Sequence, residues 1–179
     1  MTTKQQDRIQ SKIKKIKSAL AADKRYHGGY YDDSRGLRYL PPRHYIELND
    51  FTGGLRYFNW FKKTFPDDSG YPDFLFEWTI VLFKKGRLKE AEKKACETFY
   101  RNTYLFDTYF GTQTSAIEKW EGSNLETKEF ADNYFTYSSK QEHLFDFAQW
   151  LEEYVATDGF IEDSNTYIEN QKKHKTRQD

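Results

Sequence analysis

The chain is 179 residues long, the size of one domain or of one domain with a tail. Lys plus Arg and Asp plus Glu number 28 each, so the formal net charge is zero, which argues against strong overall attraction to nucleic acid or to an anionic membrane. Cys96 is the single cysteine, which excludes an intrachain disulfide framework and fits a reducing setting; with no stretch near the ~18 apolar residues of a membrane span and no signal-peptide core in residues 1–25, a cytoplasmic protein without membrane contact is expected.

The apolar content is aromatic in kind. The 4 Trp, 14 Tyr and 15 Phe outnumber the 22 Leu, Ile and Val, and each buried ring removes roughly 150–250 Å² from water, so a core is within reach. Charge is neutral only on average: residues 1–26 carry net +6, residues 116–169 net −10, residues 170–179 net +3 and residues 27–115 net +1. Two readings stay open. The charges are solvated helix faces and a tail, or the basic N-terminal helix lies against the acidic half, in the same chain or in a partner.

Ile9, Ile13, Ile16 and Leu20 form one narrow helical stripe, so residues 1–26 are read as a basic amphipathic helix ended by His27-Gly28-Gly29. Residues 27–42 read as an irregular loop held down by Tyr30, Tyr31 and Tyr39. Pro42 suits the first turn of a helix carrying Tyr45, Leu48 and Phe51. Leu55, Phe58, Phe61 and Phe65 mark the next helix, stopped by residues 66–70. The segment 72–85 is apolar nearly all round and is predicted to be buried, with Trp78 in the core. Leu88, Ala91, Ala95 and Phe99 follow on a helix predicted to run to about Phe110, with Ala91 and Ala95 allowing a close neighbour. After a loop over 111–123, anchored by Trp120, the pattern predicts helices over 124–137 and from a Ser139-x-x-Glu142 capping box to Asp158. A domain over 27–159 is expected between the basic helix and a polar tail over 160–179 that frays after Ile168. Nothing alternates with period two, so the fold class is all-α.

One internal repeat is visible. Asn49 and Gly86, Phe51 and Leu88, Gly54 and Ala91, and Phe58 and Ala95 are each 37 residues apart, with a residue tolerant of positive φ at the turn and a small one where helices cross. Gly54-x3-Phe58…Pro66 and residues 83–95 (FKKGRLKEAEKKA) resemble the end and the middle of the tetratricopeptide repeat, over about residues 43–104. Pro41-Pro42, Gly54, Trp78-Thr79, Ala95 and the longer period depart from that pattern. The resemblance implies antiparallel hairpins stacked as a short array with extra terminal helices, acting as a non-catalytic module for a protein or peptide partner. It also implies a groove lined by Asp73, Phe76, Ile80, Phe83 and Lys84. Those side chains are too apolar to stay open, so a partner, a second copy or the chain's own helix 7–22 is expected to cover them.

Chemistry-bearing motifs are sparse. His27, His44, His143 and His174 show no ligand spacing, the glycine pairs are isolated and no nucleotide fingerprint occurs, so neither cofactor nor metal is expected. Arg35, Arg38, Tyr39, Arg43 and Tyr45 around Pro41-Pro42 form the alternative site, a basic and aromatic patch of the kind a small enzyme or nucleic-acid-binding accessory protein uses. Arginines stacked on tyrosines to pin the loop are the competing reading.

Overall fold

The structure, a computed structural model, describes residues 1–177. Among these residues every regular element is helical and no helix is long and apolar enough to cross a membrane. The chain divides into two compact units, Met1–Gly70 with Lys84–Gly86, and Tyr71–Phe83 with Arg87–Asp179. The division falls inside the expected 27–159 domain, and the N-terminal helix belongs to the first unit.

In the first unit α1 (Thr3–Tyr26) starts on a reciprocal cap, in which Thr2 Oγ1 accepts from the Gln5 amide and Gln5 Oε1 from the Thr2 amide. It stops where Gly28 and Gly29 adopt positive φ. Ile13 and Leu20 of its stripe are buried, and α1 packs on α2 (Pro41–Glu47) and on the 3-10 turn Leu37–Tyr39. Pro41 and Pro42 occupy the first turn of α2, where a missing N–H costs nothing. Asp50 caps α3 (Phe51–Thr64) by accepting from the Gly53 amide at 2.8 Å.

The second unit holds α4 (Pro72–Lys84, its last residue lying in the first unit), α5 (Leu88–Arg101), α6 (Leu105–Phe110), α7 (Lys128–Tyr134), α8 (Phe145–Val155) and α9 (Asp158–Thr176). Ala91 and Ala95 are fully buried on α5, and the Thr79 hydroxyl of α4 meets the Thr98 hydroxyl of α5 at 3.4 Å. The core is a lattice of rings. Phe76 touches Phe106, Tyr109, Phe135, Tyr137 and Phe147, with centroids 4.9 to 6.3 Å away.

The repeat has a geometric counterpart. Asn49 and Gly86 both take positive φ, at 54° and 68°. The bond from the Asp50 amide to the Tyr45 carbonyl (2.9 Å) matches that from Arg87 to Leu82 (3.0 Å), and Gly54 to Asp50 matches Ala91 to Arg87 (both 2.9 Å). All four pairs are offset by the same 37 residues, so the two helix–turn–helix connections share one hydrogen-bonding scheme.

Four expectations are corrected. Trp78 is half-buried rather than in the core, with the Lys94 ammonium 4.2 Å above its ring. The helix predicted to reach Phe110 breaks at Asn102, because its side chain reaches elsewhere: Nδ2 donates to the Leu125 and Thr127 carbonyls and Oδ1 accepts from the Tyr104 amide. No capping box forms at Ser139, since the Gln141 side chain accepts the Ser138 amide and a 3-10 turn at Glu142–Leu144 precedes α8. The tail does not fray at Ile168. Tyr167 packs on Tyr100 and donates to its carbonyl, the Gln171 carbonyl accepts the Trp120 amide, and α9 continues to Thr176. Residues 178–179 of that expected tail lie outside the described residues.

Asn102→Ala is expected to cost roughly 1–3 kcal/mol, because it strands buried backbone groups on both sides of the break. A urea-denaturation midpoint equal to that of the wild type would show that the break is set by something other than this side chain.

Candidate functional site

The apolar stripe of α1 seats on its neighbours, but the residues flanking it do not. Lys17, Leu20 and Ala21 of α1 form one side of a cavity of about 630 Å³. Tyr45 of α2, Gly53, Arg56, Tyr57 and Trp60 of α3, and Tyr31 of the 30–33 segment complete it. A second cavity of about 640 Å³ continues toward the N-terminus of α1, past Gln6, Gln10, Ile13 and Lys14, with Leu48 and Asp50 opposite. Lys17, Ala21 and Tyr45 line both, so the two adjoin along α1, and together, from Gln6 to Ala21, they are called the channel. At 1.5 Å per residue its length along α1 is about 22 Å.

The walls of the channel are ordered by ring contacts. Trp60 lies 5.1 Å from Tyr57, 6.0 Å from Tyr31 and 5.7 Å from Phe65, and Tyr45 lies 6.1 Å from Tyr57. Burial pushes the Tyr31, Tyr45 and Tyr57 hydroxyls up, with Asp23 adding to the effect at Tyr31 and Asp50 at Tyr45, so these rings stay neutral. Tyr57 donates to the Arg38 carbonyl at 2.7 Å, which fixes its ring. Gly53 admits Tyr45, since a Cβ there would sit 2.7 Å from the Tyr45 ring and would also strike the Asp50 carboxylate. Lys14, Lys17 and Arg56 are exposed and, among the described residues, make no ion pair, while Asp50 is the one acidic lining residue.

The site residues expected from the sequence are placed differently. Phe76 and Ile80 are fully buried, Phe83 stacks on Trp150 at 5.0 Å and meets Phe147 at 5.6 Å, and Asp73 is half-buried. Lys84 lies 5.6 Å above the Phe51 ring. The cover over Phe76 and Phe83 comes from α6, α8 and the extended residues 135–137 rather than from helix 7–22, whose stripe packs within the first unit. Phe76, Ile80 and Phe83 are thus covered by residues of the same chain and do not present an open apolar face.

The patch at 35–45 is split up. Arg38 pairs with Asp33 at 3.1 Å and Asp68 at 2.8 Å and lies over Tyr39 and Phe65, while the Tyr39 hydroxyl donates to Asp68 at 2.6 Å. Arg35 is exposed and Arg43 half-buried, and Tyr45 turns to the channel. Arg38 and Tyr39 thus pin the loop. The sequence reading did not select Lys14, Lys17, Arg56, Tyr57 or Trp60. The flanks of the α1 stripe and the small Gly53 opposite an aromatic were their visible signals.

No family model matches this sequence, and neither a curated protein nor a solved structure shows significant similarity to it.

Gly53→Ala is expected to displace the Asp50 cap and push Tyr45 into the channel, with a loss of about 0.5–2 kcal/mol. An unchanged thermal midpoint would show that Asp50 and Tyr45 move aside freely. Asp68 yields a second test. Burial pushes its carboxyl up, but bonds from Tyr39, the Gly70 amide and Arg38 outweigh this and hold it below the usual aspartate range. Its stabilisation is complete above that range, where folded and unfolded states are both ionised, and is lost as pH falls through the lowered value. The stability gap between wild type and Asp68→Asn should shrink as pH is taken from about 6 to about 3. A constant gap would mean that the Asp68 charge contributes nothing.

Proposed function

We propose that this chain is a non-catalytic interaction module of tetratricopeptide-like helical hairpins that binds an acidic peptide segment in the channel along α1. The observation that carries this reading is the channel itself. Its ~22 Å length suits an extended or helical peptide better than a small compact ligand. Its Tyr31, Tyr57 and Trp60 end suits an aromatic or aliphatic anchor. Lys14, Lys17 and Arg56 supply positive charge with only Asp50 opposing, which favours a partner of negative charge. The equivalent turns at Asn49 and Gly86 support the hairpin resemblance. A reducing, cytoplasmic setting is part of the proposal and rests on the single Cys96.

The alternative, an enzyme or nucleic-acid accessory protein using the 35–45 patch, is disfavoured because Arg38 is already paired twice to carboxylates. A fluorescein-labelled Asp/Glu-rich peptide of about fifteen residues with a central Phe, long enough to fill the channel as a helix, is the probe. Wild type should bind it with a change in anisotropy, and Lys17→Glu with Arg56→Glu should weaken binding by more than about tenfold while leaving the melting curve unchanged. Equal binding by the charge-reversed protein, or stronger binding of a single-stranded oligonucleotide of equal charge, would overturn the proposal.

A further inference from the structure

We infer that the C-terminal end of α1 and the following loop form a site for a divalent transition-metal ion, Zn²⁺ by the chemistry of its donors, held by Asp23, His27 and Asp32. Asp23 lies in the last turn of α1 and His27, four residues on, caps the helix, with its Nδ1 3.3 Å from Asp23 Oδ1. The chain then turns back through Gly28 and Gly29, both at positive φ, and returns Asp32 to the same place. One donor atom from each of the three residues lies within 4.8 Å of the others. An ion with bonds of about 2.0–2.2 Å spaces its ligands roughly 3–4 Å apart, so small side-chain rotations complete the set.

The hydrogen bonds leave lone pairs on the carboxylates, whereas His27 Nδ1 faces only acceptors and so donates in the ion-free chain; it must release that proton, or coordinate through Nε2, when an ion binds. Asp23 Oδ2 accepts the Asp32 amide at 3.0 Å and the Asp33 amide at 3.3 Å, which holds the loop against the helix. Asp23 Oδ1 faces His27 Nδ1 at 3.3 Å, and that nitrogen also lies 3.1 Å from the Asp23 carbonyl oxygen. Asp33 takes no part, because its carboxylate accepts the Leu37 and Arg38 amides and the Arg38 guanidinium. Of the nearby cations, Lys24 is turned onto the Tyr31 ring at 5.3 Å. The carbonyls of a helix C-terminus add negative partial charge at the site.

An imidazole nitrogen with two carboxylates selects a borderline ion such as Zn²⁺ over Mg²⁺ or Ca²⁺, which prefer sets made of oxygen alone. Three protein ligands also leave a fourth position for water. Asp32 is adjacent to Tyr31, a wall of the channel, so a bound ion would fix that wall without contacting the channel's own cations.

Zn²⁺ titration of the full chain by calorimetry tests this, with Co²⁺ absorption as a second readout of ligand geometry. Wild type should take up one ion, and its melting temperature should rise with Zn²⁺. His27→Ala and Asp32→Asn should each weaken binding by about tenfold or more and abolish the thermal shift. His44→Ala should leave both unchanged, since His44 pairs with Glu47 away from these donors. His27 is exposed, so its replacement should leave the fold intact, which circular dichroism checks. Undiminished Zn²⁺ binding in His27→Ala, displacement of Zn²⁺ by an equal concentration of Mg²⁺, or no uptake by wild type would each overturn the site. Peptide binding at Lys17 and Arg56 is read separately, so either result stands without the other.

Discussion

The buried carboxylate of Asp33 is the constraint on which the first unit depends. It sits at positive φ, a conformation that L-residues other than Asn and Asp rarely adopt, and only 6% of its surface is exposed. A buried charge of this kind is tolerable only when fully bonded. Here two backbone amides and the Arg38 guanidinium bond it. The same Arg38 reaches Asp68 on the turn after α3, and Asp68 accepts the Tyr39 hydroxyl. This chain of bonds fixes the 30–40 segment between the end of α1 and the end of α3. The position of Tyr31 against Trp60, at one end of the channel, follows from it.

The second unit is organised by shape instead of charge. With few aliphatic residues available, its core is built from rings that meet edge to face, tilted or stacked. Ala91, Ala95 and Ala131 are the small residues fully buried beside this lattice in the same unit. The tyrosines there keep a polar tip, and some find a partner deep inside, as Tyr137 does in donating to the buried Glu77 carboxylate at 2.9 Å. This explains why a face that resembles a peptide-binding surface in sequence is closed. Phe76, at its centre, is surrounded by rings from later in the chain.

Much of this was legible in the sequence, for definite reasons. Helix stripes, the prolines of α2, the glycines after α1 and the matched turns at Asn49 and Gly86 are local signals, and local signals decide local backbone. What was not legible depends on distant atoms. Asn102 breaks a helix only because the Leu125 and Thr127 carbonyls lie within its reach. Trp78 sits on an apolar helix yet reaches the surface, where Lys94 covers it. The channel is harder still to read, since a gap between packed helices has no residue of its own. Tyr45 was visible as part of a basic patch, but its true neighbours are on α3. The proposed metal donors combine the two cases: Asp23-x3-His27 is a local spacing, whereas Asp32 joins it only through the turn at Gly28 and Gly29.

The proposed peptide site divides its tasks between two kinds of side chain. Lys14, Lys17 and Arg56 stand in water, where screened charges speed encounter and reject partners of like charge more than they hold the bound state. Trp60, Tyr57 and Tyr31 are already packed on one another, so little side-chain freedom remains to be lost when a ligand arrives. Pre-ordered rings therefore supply residence time and the exposed cations supply selection. A ligand with charge but no apolar anchor would meet only the weak part of this arrangement, and one with an anchor but no negative charge would gain nothing from Lys14, Lys17 and Arg56. Both features must be present in one segment for the channel to discriminate, and the 22 Å run along α1 is long enough to read both at once.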